Sequence, residues 1–294
     1  MEQMPYYIPP EDGWKKHFEG LIPILILVLI AIVLVGKTTN YFCSVPGLNY
    51  VFCGKGQTNV GLLGDFSATA NTEIKASVFK SVLDAEGGKY NIYSRPIVIQ
   101  ALEYPQQNLL KQFDVVVVAG VQNLTYAARE ALGNYIANGG KVILIGDAGV
   151  RDPKDPLIKG WSAAAFGDYA PVRLAISGPV TGNNFPRVNI TEPQLNYFIE
   201  TNPIIKDYAD AYLLNFTEIT ASESCHQIDS IDVAPKDGNA EMIATLTSGD
   251  GSNFVPAIVE RKTGLGSGDV LYFDYDPGCT RSAVIATLKY LAGR

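Results

Sequence analysis

The stretch Phe113-Asp-Val-Val-Val-Val-Ala-Gly120 decides the fold. It is a continuous apolar run without alternation, which is typical of a parallel strand covered on both faces. A helical pattern follows over residues 125–138 and is closed by Gly139 and Gly140, and Lys141 to Gly146 is a second buried run. Strand, helix and strand in this order predict a βαβ unit with a right-handed crossover.

The flanking sequence extends this α/β pattern. Upstream, residues 59–65 predict a strand, residues 72–85 predict a helix capped by Thr72, and two short strands are expected at 90–93 and 97–102. Downstream, strands are predicted at 172–176, 187–190, 211–220, 242–246, 256–261 and 269–274, with a glycine-rich hairpin turn at 263–268 and a last helix at 282–291.

The composition excludes some classes of partner. The chain has 294 residues, of which 47% are hydrophobic and 18% charged, and its net charge is −7. An acidic chain without a basic stripe is not expected to bind nucleic acid or to adhere electrostatically to anionic lipid.

An apolar segment lies near the N-terminus. Thirteen of the fifteen residues from Leu21 to Val35 are Leu, Ile or Val, and none is charged. Extended to residues 18–36, this segment would form a helix of nearly 30 Å, the thickness of a bilayer core. It predicts a single transmembrane helix after a cytoplasmic tail at 1–17. A cleaved signal peptide or a pilin-type leader cut beside Gly20 are the alternatives, although no small-x-small cleavage site follows.

Charges and sequons around this segment predict its direction. Lys15 and Lys16 precede it and only Lys37 follows closely, which favours a cytoplasmic N-terminus. Three triplets match the N-glycosylation sequon, as is common in extracytoplasmic domains. They begin at Asn123, Asn189 and Asn215.

The four cysteines favour the same orientation. Of the three pairings they allow, Cys43–Cys53 with Cys225–Cys279 is the simplest, and such bonds persist in oxidising compartments. A zinc site is disfavoured because no CxxC spacing occurs and the chain has only two histidines. We therefore expect a disulfide-closed neck at 37–56 that carries an extracytoplasmic domain at 57–294.

Several stretches of this domain resemble the class I glutamine-amidotransferase-like superfamily. They are residues 113–120, 138–149, 257–273 and 289–293, and the late ones are especially similar to non-catalytic relatives such as the trimerisation domain of some β-galactosidases. The resemblance covers roughly residues 57–294. It implies a three-layer flavodoxin-like sandwich with antiparallel additions.

The resemblance also implies that the chain has lost catalysis. Catalytic members carry a cysteine in a tight turn after a strand, activated by a histidine after a late strand. The matching turn here is Ile145-Gly-Asp-Ala-Gly149, so that Asp147 replaces the cysteine, and no histidine occurs near Tyr275-Asp-Pro277.

Aspartates follow several of the predicted strands. Asp65, Asp147, Asp274 and Asp276 should share the carboxyl edge of the sheet, where α/β proteins bind ligands, together with Ser67 and Asn123. Clustered carboxylates there could hold a divalent cation such as Ca²⁺ or Mg²⁺. The competing interpretation is structural, because aspartates at strand ends often cap helices or stabilise turns.

These features predict a binding or structural module of a cell-envelope complex, held in the lipid bilayer by its N-terminal helix. Its partners would be other membrane or envelope proteins, or further copies of the chain in a homo-oligomer. Two alternatives remain: an extracytoplasmic hydrolase that uses the strand-end carboxylates or a metal, and a solute-binding receptor that serves a transporter and would need a deep, preformed pocket.

Overall fold

The computed structural model divides the chain into two compact units, Met1–Gly56 and Gln57–Arg294. It describes residues 23, 25–28, 30, 31, 57–103, 109–151, 153, 157, 158, 160, 161, 164–175, 180, 181, 187–197, 204, 223–264 and 268–293.

In the first unit, the few described residues are helical, and Leu25 and Leu27 are 58% and 69% exposed. Within the described part of the chain, no helix is long and apolar enough to cross a membrane. Most of the predicted segment 18–36 lies outside the described residues, as do the tail 1–17 and the neck 37–56 with Cys43 and Cys53.

The second unit alternates strands and helices in its first half and is richer in strands afterwards. The strands are β1 (Thr58–Gly64), β2 (Ile92–Ile97), β3 (Val115–Ala119), β4 (Lys141–Ile145), β5 (Leu157–Ile158), β6 (Val172–Leu174), β7 (Val180–Thr181), β8 (Arg187–Thr191), β9 (Gln194–Tyr197), β10 (Gln227–Ile231), β11 (Val233–Pro235), β12 (Ala240–Thr247), β13 (Phe254–Lys262) and β14 (Asp269–Phe273). The α-helices are α1 (Ser77–Glu86), α2 (Tyr126–Ala137), α3 (Ala164–Tyr169), α4 (Glu223–His226) and α5 (Arg281–Leu291). Short 3₁₀-helices occur at Gly87–Tyr90, Ile99–Leu102, Leu110–Gln112 and Pro277–Thr280.

Eight strands form one sheet in the order β2-β1-β3-β4-β14-β13-β12-β9. The first five in this order are parallel, and β13, β12 and β9 continue the sheet in antiparallel fashion. The mixed sheet with its large parallel core fits a flavodoxin-like α/β fold, and the predicted antiparallel additions are present.

The strands at the centre of the sheet are buried as their composition predicts. All five residues of β3 are buried, as are the last four of β4. Helix α1 contacts α5, and α2 contacts α3. From β1 the chain passes through α1 to β2, and from β3 it passes through α2 to β4, which lies in the opposite direction across the sheet. Right-handed crossovers in opposite directions place α1 and α2 on opposite faces.

Three predicted elements differ from the structure. Helix α1 begins at Ser77 rather than at Thr72, whose hydroxyl donates to the carbonyl of Ile74 in the preceding loop. Instead of two strands at 90–93 and 97–102, the structure has one strand, Ile92–Ile97, followed by a 3₁₀-helix at Ile99–Leu102. The strand predicted at 211–220 and the sequon at Asn215 lie outside the described residues.

Three two-stranded sheets, β8–β10, β6–β11 and β5–β7, form an insertion between β4 and the late strands. The predicted disulfide Cys225–Cys279 joins this insertion to the 3₁₀-helix before α5, with the two Cα atoms 5.6 Å apart. Both cysteines are buried. The insertion is therefore covalently attached to the end of the main sheet.

Candidate functional site

The carboxyl edge of the parallel strands contains the candidate site. After β1 the chain continues to β2, and after β3 it continues to β4, in the opposite direction across the sheet. The gap between β1 and β3 is therefore a topological switch point. In open α/β sheets ligands bind at such a point. The loops after β1, β3, β4 and β14 meet at this edge.

Asp147 lies at this edge, two residues after β4, and its side chain is buried. Its carboxylate accepts hydrogen bonds from the main-chain N–H of Glu73 at 3.0 and 3.1 Å and from that of Ile74 at 3.4 Å. The side-chain amide of Gln122 donates to the same carboxylate. Burial raises the pKa of Asp147, while these hydrogen bonds act in the opposite direction.

The turn that holds Asp147 depends on Gly146. This glycine has a φ of +57°, and a Cβ at its position would lie 2.5 Å from the Cβ of Ile74. The chain then turns toward Arg151, whose N–H donates to the carbonyl of Gln122 at 2.9 Å. The segment after Asp147 therefore pairs with the loop that follows β3, whereas a nucleophile elbow would lead from the strand directly into a helix.

Asp274 follows β14 and is also buried. Its Oδ1 accepts the hydroxyl of Tyr272 at 2.7 Å and the N–H of Ile231 at 3.2 Å, so it connects the main sheet to β10 of the insertion. Its Oδ2 is buried without a hydrogen-bond partner among the described residues. Burial raises the pKa of Asp274 well above its ordinary value, and the nearby Asp147 raises it further.

Asp276 caps helix α1 from a distant part of the sequence. Its carboxylate accepts the N–H groups of Val78 and Phe79, each at 2.8 Å, and that of Gly278 at 2.9 Å. Burial raises the pKa of this carboxyl to about 6, against the lowering effect of these hydrogen bonds. Asp276 thereby satisfies N–H groups in the first turn of α1 that would otherwise have no acceptor.

The remaining predicted aspartate, Asp65, is exposed and accepts the N–H of Ser67 at 2.9 Å in a local turn. All four predicted aspartates thus follow strands, and each accepts main-chain N–H groups. No cluster of three or more His, Cys, Asp or Glu side chains suited to a metal ion occurs within the ranges that the structure describes.

A polar cleft opens at the switch point, with a volume of about 200 Å³. Its lining comes from the loops after β1, β3 and β4, and its walls are almost wholly polar. The lining residues are Asn71, Thr72, Glu73, Gln122, Asn123 and Arg151. We name this cavity the switch-point cleft.

Sequence reasoning named two of these residues: Thr72 as a helix cap, and Asn123 both as the start of a sequon and as a residue of this edge. The others carry no motif or spacing that distinguishes them from ordinary loop residues. Position after a buried strand was the one signal that could have found Gln122 and Arg151.

Two interactions fix the walls of the switch-point cleft. The carboxylate of Glu73 forms an ion pair with Arg187 at the start of β8. The backbone of Arg151 forms a parallel bridge with Asn123, and its carbonyl accepts the N–H of Leu124 at 3.1 Å. Together with the hydrogen bonds of Asp147, these contacts hold the three lining loops against one another.

No protein-family model matches this chain, and no curated protein does. Solved structures do match. A β-galactosidase from Rahnella sp. R3 is 11% identical with a TM-score of 0.50, and the match covers 80% of this chain and 31% of that enzyme. The chain thus spans about a third of the enzyme's length, and at this identity the likeness concerns the fold alone.

Two further structures match over nearly their whole length. A cytoplasmic protein from Salmonella typhimurium is 14% identical, with 79% of this chain and 98% of that one covered and a TM-score of 0.46. A ThuA-like protein from Bacteroides uniformis is 12% identical, with 80% and 91% covered and a TM-score of 0.49.

Proposed function

We propose that this chain is a membrane-anchored, extracytoplasmic binding or structural module of a cell-envelope complex, and that its amidotransferase-like domain is not catalytic. The observation that carries the proposal is the environment of Asp147. The residue at the place of the family's nucleophile is buried, and it accepts the N–H groups of Glu73 and Ile74 and the amide of Gln122.

A nucleophile has to reach its substrate and needs a base beside it. Asp147 meets neither requirement, because its oxygens are engaged inside the protein. The one histidine in the described part of the chain, His226, is exposed on the insertion next to the disulfide-bonded Cys225. Asp147 therefore serves to hold the loop after β1 against the loop after β3.

The anchor and the compartment rest on different observations. The run from Leu21 to Val35 supports a membrane anchor by its composition, and Leu25 and Leu27 within it expose more than half of their surface. The bond Cys225–Cys279 supports an oxidising compartment for the domain, because structural disulfides are rare where thiols are kept reduced.

The test is chemical crosslinking in cells that make either the wild-type chain or the Asp147→Asn variant. Asparagine keeps an oxygen that can accept from Glu73, and its amide can face the carbonyl of a reoriented Gln122, so the fold should persist. We expect both chains to crosslink to the same membrane or envelope neighbours. Asp84→Asn, an exposed change on α1, is the matched control.

The same cells, kept intact, are treated with a protease that cannot cross the membrane. The proposal expects the domain to be digested. It is wrong if the domain stays protected, or if Asp147→Asn changes the set of crosslinked neighbours while Asp84→Asn does not.

A further inference from the structure

We propose that the switch-point cleft binds a saccharide, either a free sugar or the terminal unit of a glycan. This inference rests on the proposed binding function and names the ligand class for it. Three properties of the cleft carry it: its rigid construction, the chemistry of its lining and its balance of charge.

The cleft is held in one shape before any ligand arrives. Asp147, which is buried behind it, binds the N–H of Glu73 and the side-chain amide of Gln122, and Arg151 pairs through its backbone with Gln122. Loops fixed in this way lose little conformational freedom when a ligand binds. Preorganisation of this kind favours affinity even for a small ligand.

The lining chemistry matches hydroxyl groups. Asn71, Gln122 and Asn123 carry primary amides, which have both donors and an acceptor, and one N–H of Gln122 is used by Asp147. A sugar hydroxyl also donates and accepts, and neighbouring hydroxyls can bond to both ends of one amide. Because the walls are almost wholly polar, a ligand with a large apolar body would find few contacts.

The charges disfavour ionic ligands. Among the described lining residues Arg151 is the only basic one, so phosphate or a carboxylate would find a single guanidinium and no cluster of cations. The carboxylate of Glu73 already forms an ion pair with Arg187, so an ammonium group would have to compete for it. A neutral, hydroxyl-rich ligand needs neither charge.

The volume limits the ligand to a small one. The cleft measures about 200 Å³, below the range of about 300–1,000 Å³ that is typical of sites for drug-sized ligands. One sugar ring is of suitable size, and the open mouth of the cleft leaves room for the rest of a glycan outside.

The test is saturation-transfer NMR on the full-length chain, kept in a detergent without a sugar headgroup and made in a host without N-glycosylation. The host matters because a glycan on Asn123 would fill the cleft. The probes are glucose, galactose, mannose and N-acetylglucosamine, each as free sugar and as methyl glycoside. Glutamine and inorganic phosphate represent the ionic alternatives. A signal from the glycosides as well as the free sugars indicates a terminal glycan unit, and a signal from free sugars alone indicates a soluble sugar.

The double variant Asn71→Ala, Asn123→Ala removes two exposed amides from the lining and should weaken sugar binding by about tenfold or more, since each lost hydrogen bond costs roughly twofold to tenfold in affinity. The matched control Asn134→Ala removes an exposed amide on α2 outside the lining and should leave binding unchanged. The inference is wrong if no sugar gives a signal, if the signal survives the double variant, or if glutamine or phosphate binds in place of the sugars. Crosslinking to envelope neighbours is a separate readout, so failure here would not be confused with failure of the proposed function.

Discussion

The carboxylate of Asp276 accepts a hydrogen bond of 2.8 Å from the main-chain N–H of Phe79, 197 residues earlier in the sequence. The residue at the N-cap position of α1, Ala76, offers no side-chain acceptor, so the cap comes from the loop after β14. The first helix of the domain is thus completed by a residue near the end of the chain.

Replacing Asp276 with alanine should lower the free energy of unfolding by about 1–3 kcal/mol. The change removes an N-cap and leaves part-buried N–H groups of Val78 and Phe79 without their acceptor. Urea unfolding followed by circular dichroism measures the loss. Asp84→Ala, which removes an exposed ion pair with Lys80, should cost less than about 0.5 kcal/mol. Equal losses in the two variants would argue against the cap.

The same carboxyl should make stability depend on pH. Burial raises the pKa of Asp276 from its ordinary 3.8 to about 6. At a pH between these two values, the carboxyl is protonated to a greater extent in the folded chain than in the unfolded chain. Its contribution to stability is therefore largest below pH 4 and is lost as the pH rises through about 6. Asp276→Asn should flatten the slope of unfolding free energy against pH in this window. An unchanged slope would mean that Asp276 does not titrate there.

Asp274 should tolerate an isosteric amide. Burial raises its pKa well above the ordinary value, which favours the neutral form of the carboxyl. Asp274→Asn keeps an oxygen for the hydroxyl of Tyr272 and the N–H of Ile231, and should change stability at pH 7 by less than about 1 kcal/mol. Asp274→Leu deprives both donors of their acceptor and should cost roughly 2–4 kcal/mol. Thermal unfolding of both variants decides the point, and similar losses would contradict it.

Gly278 should not accept a side chain. A Cβ at this position would overlap the main-chain nitrogen of Phe79 and the carbonyl carbon of Val78, so Gly278→Ala would force the 3₁₀-helix away from α1. We expect a loss of about 3 kcal/mol or failure to fold. Gly238→Ala is the control, because a Cβ there meets nothing within 4 Å. If both variants unfold at the same urea concentration, the close approach is not as described.

Removing the disulfide should destabilise the domain by about 4 kcal/mol, the chain-entropy value for a closed loop of 54 residues. The double variant Cys225→Ala, Cys279→Ala tests this by urea unfolding. The wild-type chain unfolded in the presence of a reductant should lose a similar amount. If reductant and double variant both leave stability unchanged, the bond does not stabilise the folded state.

The sequence predicted the centre of the fold well because a strand buried on both faces is a continuous run of apolar residues. The runs at β3 and β4 are continuously apolar, and the predicted strands match the observed ones within two residues. Helix α2 was equally predictable, because its cap, Thr125, lies directly before the helix in the sequence. The Thr125 side chain accepts the N–H of Ala128.

Distant contacts explain what the sequence did not reveal. Helix α1 begins five residues after Thr72 because Asp147 holds the N–H groups of Glu73 and Ile74 in a loop and Asp276 caps the first turn. Neither carboxylate is close to the helix in sequence. The switch-point cleft was missed for the same reason, because its lining residues meet only after the strands have assembled.

Strand β14 lies between β4 and β13, although it is the last strand of the chain to be made. Until residues beyond 268 have left the ribosome, β4 is therefore an open edge of the parallel half of the sheet. Strand β13 likewise lacks its partner β14 until then. A premature stop shortly before β14 would leave two half-sheets with unpaired edges in place of a slightly shortened domain. For cellular quality control, the closed centre of the sheet would then mark a chain in which β14 has been made.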